Sequence, residues 1–126
     1  MSMLDMLLGN AEKITARTEE EFEVSRLSEL CGEPFLLKGH ALTMRELDGL
    51  PVQNHKEHVI LKAITEPDFT SGELARKLTP KDRKTPLTPI EVVDALFLPG
   101  EIVNLYNMVM ELSGYGQDTV AKIKKN

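Results

Sequence analysis

The chain has 126 residues, a formal net charge of −5, four Phe, two Tyr and no Trp. That length suits one modest domain. The acidic balance argues against a general nucleic-acid binder, which is normally basic, and the scarcity of rings argues against a base-stacking platform. The single cysteine, Cys31, has no internal disulfide partner, which fits a reducing cytosol.

The first ten residues lack a basic n-region, and Asp5 interrupts their apolar run, so no signal peptide is expected here. No stretch approaches the ~20 apolar residues that span a bilayer, and no membrane partner is expected. Leu4, Leu7, Leu8, Ala11 and Ile14 recur at helical spacing, weakened by Gly9 and Asn10. This segment is expected either to fray or to order on a partner.

An acidic run, Glu19-Glu20-Glu21, leads into Phe22 and Val24, whose alternation with polar residues predicts a half-buried strand. Residues 28–33, with Gly32, are expected to turn into a second strand over 34–38, giving a β-hairpin.

Further on, Thr43 with Glu46, Thr70 with Glu73 and Thr88 with Glu91 match the Thr-x-x-Glu capping box. Each is flanked by a hydrophobic pair at staple spacing: Leu42 with Leu47, Phe69 with Leu74, and Leu87 with Val92. These mark helix starts and carry no chemistry. Helices are predicted over 44–49, about 54–65 (buried stripe Val59, Ile60, Ala63, Ile64), and 71–78. The proline-bounded polar loop 79–86 is expected to be a mobile excursion.

Residues 86–115 predict two helices meeting at Leu98-Pro99-Gly100, with Pro99 starting the second and Glu101 in its first turn. Gly114 suits a left-handed C-cap, with Tyr115 folding back on Met110. Apolar residues from Ile102 to Leu112 span an arc of roughly 220°, about twice what a one-sided helix needs. Such a helix is either central or keeps apolar surface for a partner. Together these elements predict an α+β fold, mainly helical, with about five helices after a small N-terminal β-hairpin. It forms a single domain over 1–126, with residues 1–20 and the tail 117–126 expected to be flexible.

His55 and His58 sit three apart on a predicted helix, a spacing two metal ligands can use. The other donors, His40, Cys31 and Glu57, have no diagnostic spacing, so no metal site is expected. Arg76, Lys77, Lys81, Arg83 and Lys84 form a basic cluster without interleaved aromatics. No phosphate-binding loop, nucleophile elbow or Ser/His/Asp set occurs, and no carboxylate pair stands out. No catalytic residue or cofactor is assigned, and an enzyme is not expected.

Several segments resemble a known family in order and spacing: Leu98-Pro-Gly-Glu-Ile102 with Leu105 and Glu111-Leu-Ser-Gly-Tyr115, and, upstream, Glu21-Phe-Glu-Val-Ser-Arg-Leu27, Pro34-Phe-Leu-Leu-Lys38 and Ile64-Thr-Glu-Pro-Asp-Phe69. Met3-Leu4-Asp5 with Leu7-Leu8 fits too. The resemblance is to the XkdN-like tail assembly chaperones of contractile-tailed phages and defective prophages of Gram-positive bacteria. It implies a non-enzymatic protein of the host cytoplasm, absent from the mature virion. Such a protein binds the helical tape-measure protein, and tail-tube subunits, during tail morphogenesis.

In a helix-in-groove mode, Leu98, Ile102, Leu105, Tyr106 and Val109 are the expected contact residues. Self-association stays open. The resemblance also suggests a longer frameshifted product, for which Lys124-Lys125-Asn126 is compatible with an A-rich slippery run. The alternative is a small phage-encoded adaptor or nucleic-acid-binding regulator that uses the basic 76–84 loop.

Overall fold

A computed structural model describes residues 1–116 and 119–123. In chain order the elements are α1 (Met3–Thr15), β1 (Glu19–Glu23), α2 (Ser25–Cys31), β2 (Leu36–His40), α3 (Met44–Asp48), α4 (His55–Ala63), β3 (Ile64–Glu66), α5 (Gly72–Leu78), α6 (Pro89–Leu96) and α7 (Pro99–Leu112). The described residues therefore form seven helices and a three-stranded antiparallel sheet of order β1-β2-β3.

This corrects the expectation of about five helices after a small N-terminal hairpin. A first helix precedes the strands, and β1 and β2 are antiparallel neighbours joined by α2 rather than by a turn. Gly32, at φ 73°, closes α2 as its left-handed C-cap. The third strand starts in residues expected to end a helix: β-branched Ile64 and Thr65 leave α4, and Ile64 and Glu66 pair with Gly39 and Lys38 of β2. The frameshift-related Lys124-Lys125-Asn126 and part of the expected tail lie outside the described residues.

Local chemistry sets most helix starts. Thr43 and Thr88 accept the N–H of Glu46 and Glu91, and each glutamate accepts its threonine's N–H in return. The third expected box fails. Asp68 accepts both the N–H and the hydroxyl of Thr70, so the N-cap of α5 moves to Ser71, which accepts from Leu74 N–H.

Pro99 begins α7, which is bent 112° from α6. At its far end Tyr115 N–H donates to Met110 O (3.0 Å) and Gly114 N–H to Glu111 O (2.9 Å), with Gly114 at φ 98°. That is the Schellman arrangement the glycine implied.

Phe22 and Leu37 on the inner face of the sheet, with Val24 just beyond β1, pack on Ile60, Ile64, Val92, Val93, Phe97, Ile102 and Leu105. Phe69 meets Phe97 edge-on, with centroids 5.8 Å apart. A smaller cluster joins Leu42, Leu47, Val59, Ala63 and Val109. α4 bridges the two, since Ile60 enters the first while Val59 and Ala63 enter the second, all wholly buried. Val59 and Ile60 each contribute ~1.5–3 kcal/mol by leaving water.

Loop 79–86 is pinned rather than loose. Arg83 donates to Glu91 (2.6 and 2.8 Å) and to Thr85 O (3.0 Å), and the Thr79 hydroxyl accepts from Leu87 N–H (3.1 Å).

Candidate interaction surface

α1 folds on local chemistry alone. Ser2 Oγ accepts Asp5 N–H (3.0 Å), Asp5 accepts Ser2 N–H (3.2 Å), and Lys13 lies in the last turn against the negative end of the dipole. The helix buries no residue. Met3, Leu4, Met6, Leu7, Leu8 and Ile14 are between 46% and 77% exposed, a cluster of exposed apolar side chains of the kind that marks interaction sites. Its base is tied down: Arg17, just beyond the helix, pairs with Glu46 (3.0 Å) and donates to His40 Nδ1 (3.0 Å).

The five expected contact residues divide between core and surface. Ile102, Leu105 and Val109 are buried, Tyr106 is half-buried, and Leu98 is 52% exposed at the corner before α7. Tyr106 meets His55 edge-on (6.1 Å between centroids) and lies under Lys56 (Nζ 5.2 Å from the ring centre). The wide apolar arc of α7 thus has a covered centre and two partly bare flanks, Val103 on one and Met108 on the other.

The Met108 flank borders β1. A cleft of about 520 Å³ is lined by Phe22, Met108, Leu112, Thr18, Glu20, Glu111 and Gly114. A second, about 230 Å³, continues past Met108 to Val24, Leu105, Glu23 and Glu101. Apolar floors and carboxylate rims characterise both.

Other candidates are dispersed. Among the described residues, no group of three or more His, Cys, Asp or Glu is placed to hold a metal ion. Cys31 is exposed and unpaired. In the basic 76–84 loop, the Arg83 guanidinium holds the Glu91 carboxyl down at about 2, helped by Thr88 N–H.

One carboxylate pair escaped the sequence because its members lie on different helices. Partial burial, then the Glu57 carboxylate beside it, raises Asp94 above the usual range. Paired carboxylates can serve acid–base chemistry, but neither residue lines the clefts beside β1. No single helix among the described residues is long and apolar enough to cross a membrane.

A solved structure, the crystal structure of the protein YqbN, superposes with a TM-score of 0.58 at 22% identity, covering 79% of this chain and 87% of that one. It supports the fold. Among curated proteins none matches. The family model described as Phage XkdN-like tail assembly chaperone protein matches residues 9–125. The chain therefore belongs to the XkdN-like family of phage tail assembly chaperones.

Proposed function

We propose that this chaperone acts without catalysis, in the bacterial cytoplasm, by covering the tape-measure protein, and tail-tube subunits, while a phage or prophage tail is built. It then leaves before the particle is complete. The observation that carries the reading is α1, a capped helix whose every residue is exposed among the described residues, its apolar face included. A long helical tape-measure chain has apolar stripes that aggregate when bare. An amphipathic helix pairs with such a stripe through anchors at i, i+3, i+4 and i+7, the spacing of Leu4, Leu7, Leu8 and Ala11.

From the originally expected set, Leu98 and Tyr106 keep accessible surface and form the second part of the proposed contact. Ile102, Leu105 and Val109 support it from beneath.

The test is co-expression with a tape-measure protein from the same phage or prophage. The intact chain keeps that protein soluble and co-purifies with it. A chain carrying Leu4→Lys and Leu8→Lys does neither, while melting like the parent. Equal solubility of the tape-measure protein with and without the intact chain overturns the reading.

A further inference from the structure

The free side of β1 is a second place for a partner, and it calls for a different chemistry. Among the described residues β1 is an edge strand. Ala41 N–H donates to Thr18 O (2.9 Å) and Val24 N–H donates to Phe35 O (3.2 Å), so the even-numbered residues of this stretch face β2. In an antiparallel ladder the N–H and C=O groups of Glu19, Glu21 and Glu23 then point away from the sheet, ready to pair.

The side chains of the same three glutamates stand on the outer face, opposite His40, Lys38 and Leu36, while Phe22 points inward. Beneath the free edge run the two clefts that share Met108, which is 44% exposed.

We propose that β1 takes up, as a fourth strand, an extended segment of a partner protein in which Lys or Arg alternates with apolar side chains. The period of two puts each basic side chain beside Glu19, Glu21 or Glu23 and each apolar one over Met108 and Leu112. Main-chain bonds supply the affinity, and the alternation supplies the selection. A second copy of β1 does not fit, because glutamates would face glutamates across the new pairing. The proposal is independent of α1 and of the tape-measure reading.

The probe is a short blocked peptide alternating lysine with valine. Controls are a glutamate–valine peptide and an amphipathic lysine–leucine helix. Amide exchange and NMR shifts of the full chain are read at Glu19, Glu21 and Glu23. The lysine–valine peptide slows exchange at those amides, and its binding weakens with salt; the glutamate–valine control does neither.

Glu21→Pro removes a donor that β2 does not use, and it lowers peptide affinity about tenfold or more, the loss expected from one or two backbone bonds. Where that variant is unfolded, the double reversal Glu19→Lys with Glu23→Lys carries the test, with the same loss expected. Affinity unchanged in the folded variants overturns the proposal, as does tighter binding of the helical control. So does protection of the edge amides in the free chain, whether it depends on protein concentration (a second copy) or disappears when residues 117–126 are removed (the chain's own tail).

Discussion

Arg26 and Glu101, 75 residues apart in sequence, form a two-pronged ion pair at the corner between α6 and α7. Arg26 Nε and Nη2 reach the two Glu101 oxygens at 3.0 and 2.9 Å, and Nη2 also donates to Leu96 O at 2.7 Å. Glu101 in turn accepts Leu98 N–H at 2.7 Å. One side chain from α2 therefore satisfies the last carbonyl of α6 and steadies the residue that caps α7, across a bend of 112°. The planar fork matters here, because a lysine offers a point charge in place of parallel donors. Arg26→Lys is expected to lower the melting temperature and Arg26→Ala to lower it further. Glu101→Ala is expected to cost about 1–2 kcal/mol, as loss of a helix cap does. Thermal and urea unfolding measure all three.

Acid should loosen the same scaffold. Thr43 N–H, then Arg17, holds Glu46 down at about 2, and Arg83 with Thr88 N–H does the same for Glu91. Arg26 lowers Glu101 as well. A carboxyl depressed in the folded state contributes stability that is complete above its unfolded value, ~4.3 for glutamate, and is lost as pH falls through the folded one. Stability is therefore expected to be level above about pH 5 and to fall between there and pH 2. In Glu46→Gln and Glu91→Gln the acid limb of urea midpoint against pH should be shallower.

Asp94 carries the opposite sign. Its carboxyl is raised, so its contribution is favourable in acid and is lost as pH rises through the folded value. At neutral pH it therefore works against folding. Asp94→Asn keeps the shape and removes the charge, and it should stabilise the chain at pH 7 by a few tenths of a kcal/mol, the scale of exposed charge pairs. The gain should vanish near pH 3, where aspartate protonates even in the unfolded chain (~3.9).

Gly39 sits where β2 passes over the core. A Cβ there would lie 3.0 Å from Ile64 Cδ1 and 3.0 Å from Phe22 Cε2, beside the irregularity in the β2–β3 register. Gly39→Ala is expected to cost ~1–3 kcal/mol by overpacking. Gly39→Val should cost more. Gly100→Ala, with nothing within 4 Å of its Cβ position, is the matched control and should not destabilise.

Because α1 buries nothing, deleting residues 1–16 should leave the melting temperature almost unchanged while abolishing capture of the tape-measure protein. Differential scanning calorimetry and co-purification on the same preparation separate the two effects.

Features written into neighbouring residues were legible in the sequence; features made by distant ones were not. Thr43, Thr88, Pro99 and Gly114 announced their caps, since each acts within a few residues. Thr70 misled because Asp68, two residues earlier, competes for the same donors. The strand at Ile64–Glu66 exists through its pairing with Lys38 and Gly39, which no local pattern displays. For the surface, the periodicity of α7 marked Ile102, Leu105 and Val109 as apolar but could not tell a core-facing stripe from a bare one. The same periodicity in α1 belongs to a helix that, among the described residues, contributes to neither core cluster.

A lone helix of 13 residues is close to the length at which helices become marginal in water, ~12–15 residues. Held by local bonds alone, α1 should wind and unwind on the sub-microsecond scale of short peptides, roughly 0.1–1 µs. Part of any hold it takes on another molecule is then used in keeping it wound, so the clasp is shallow and brief. Shallow clasps suit the escort role proposed above, in which whatever is held must later be let go.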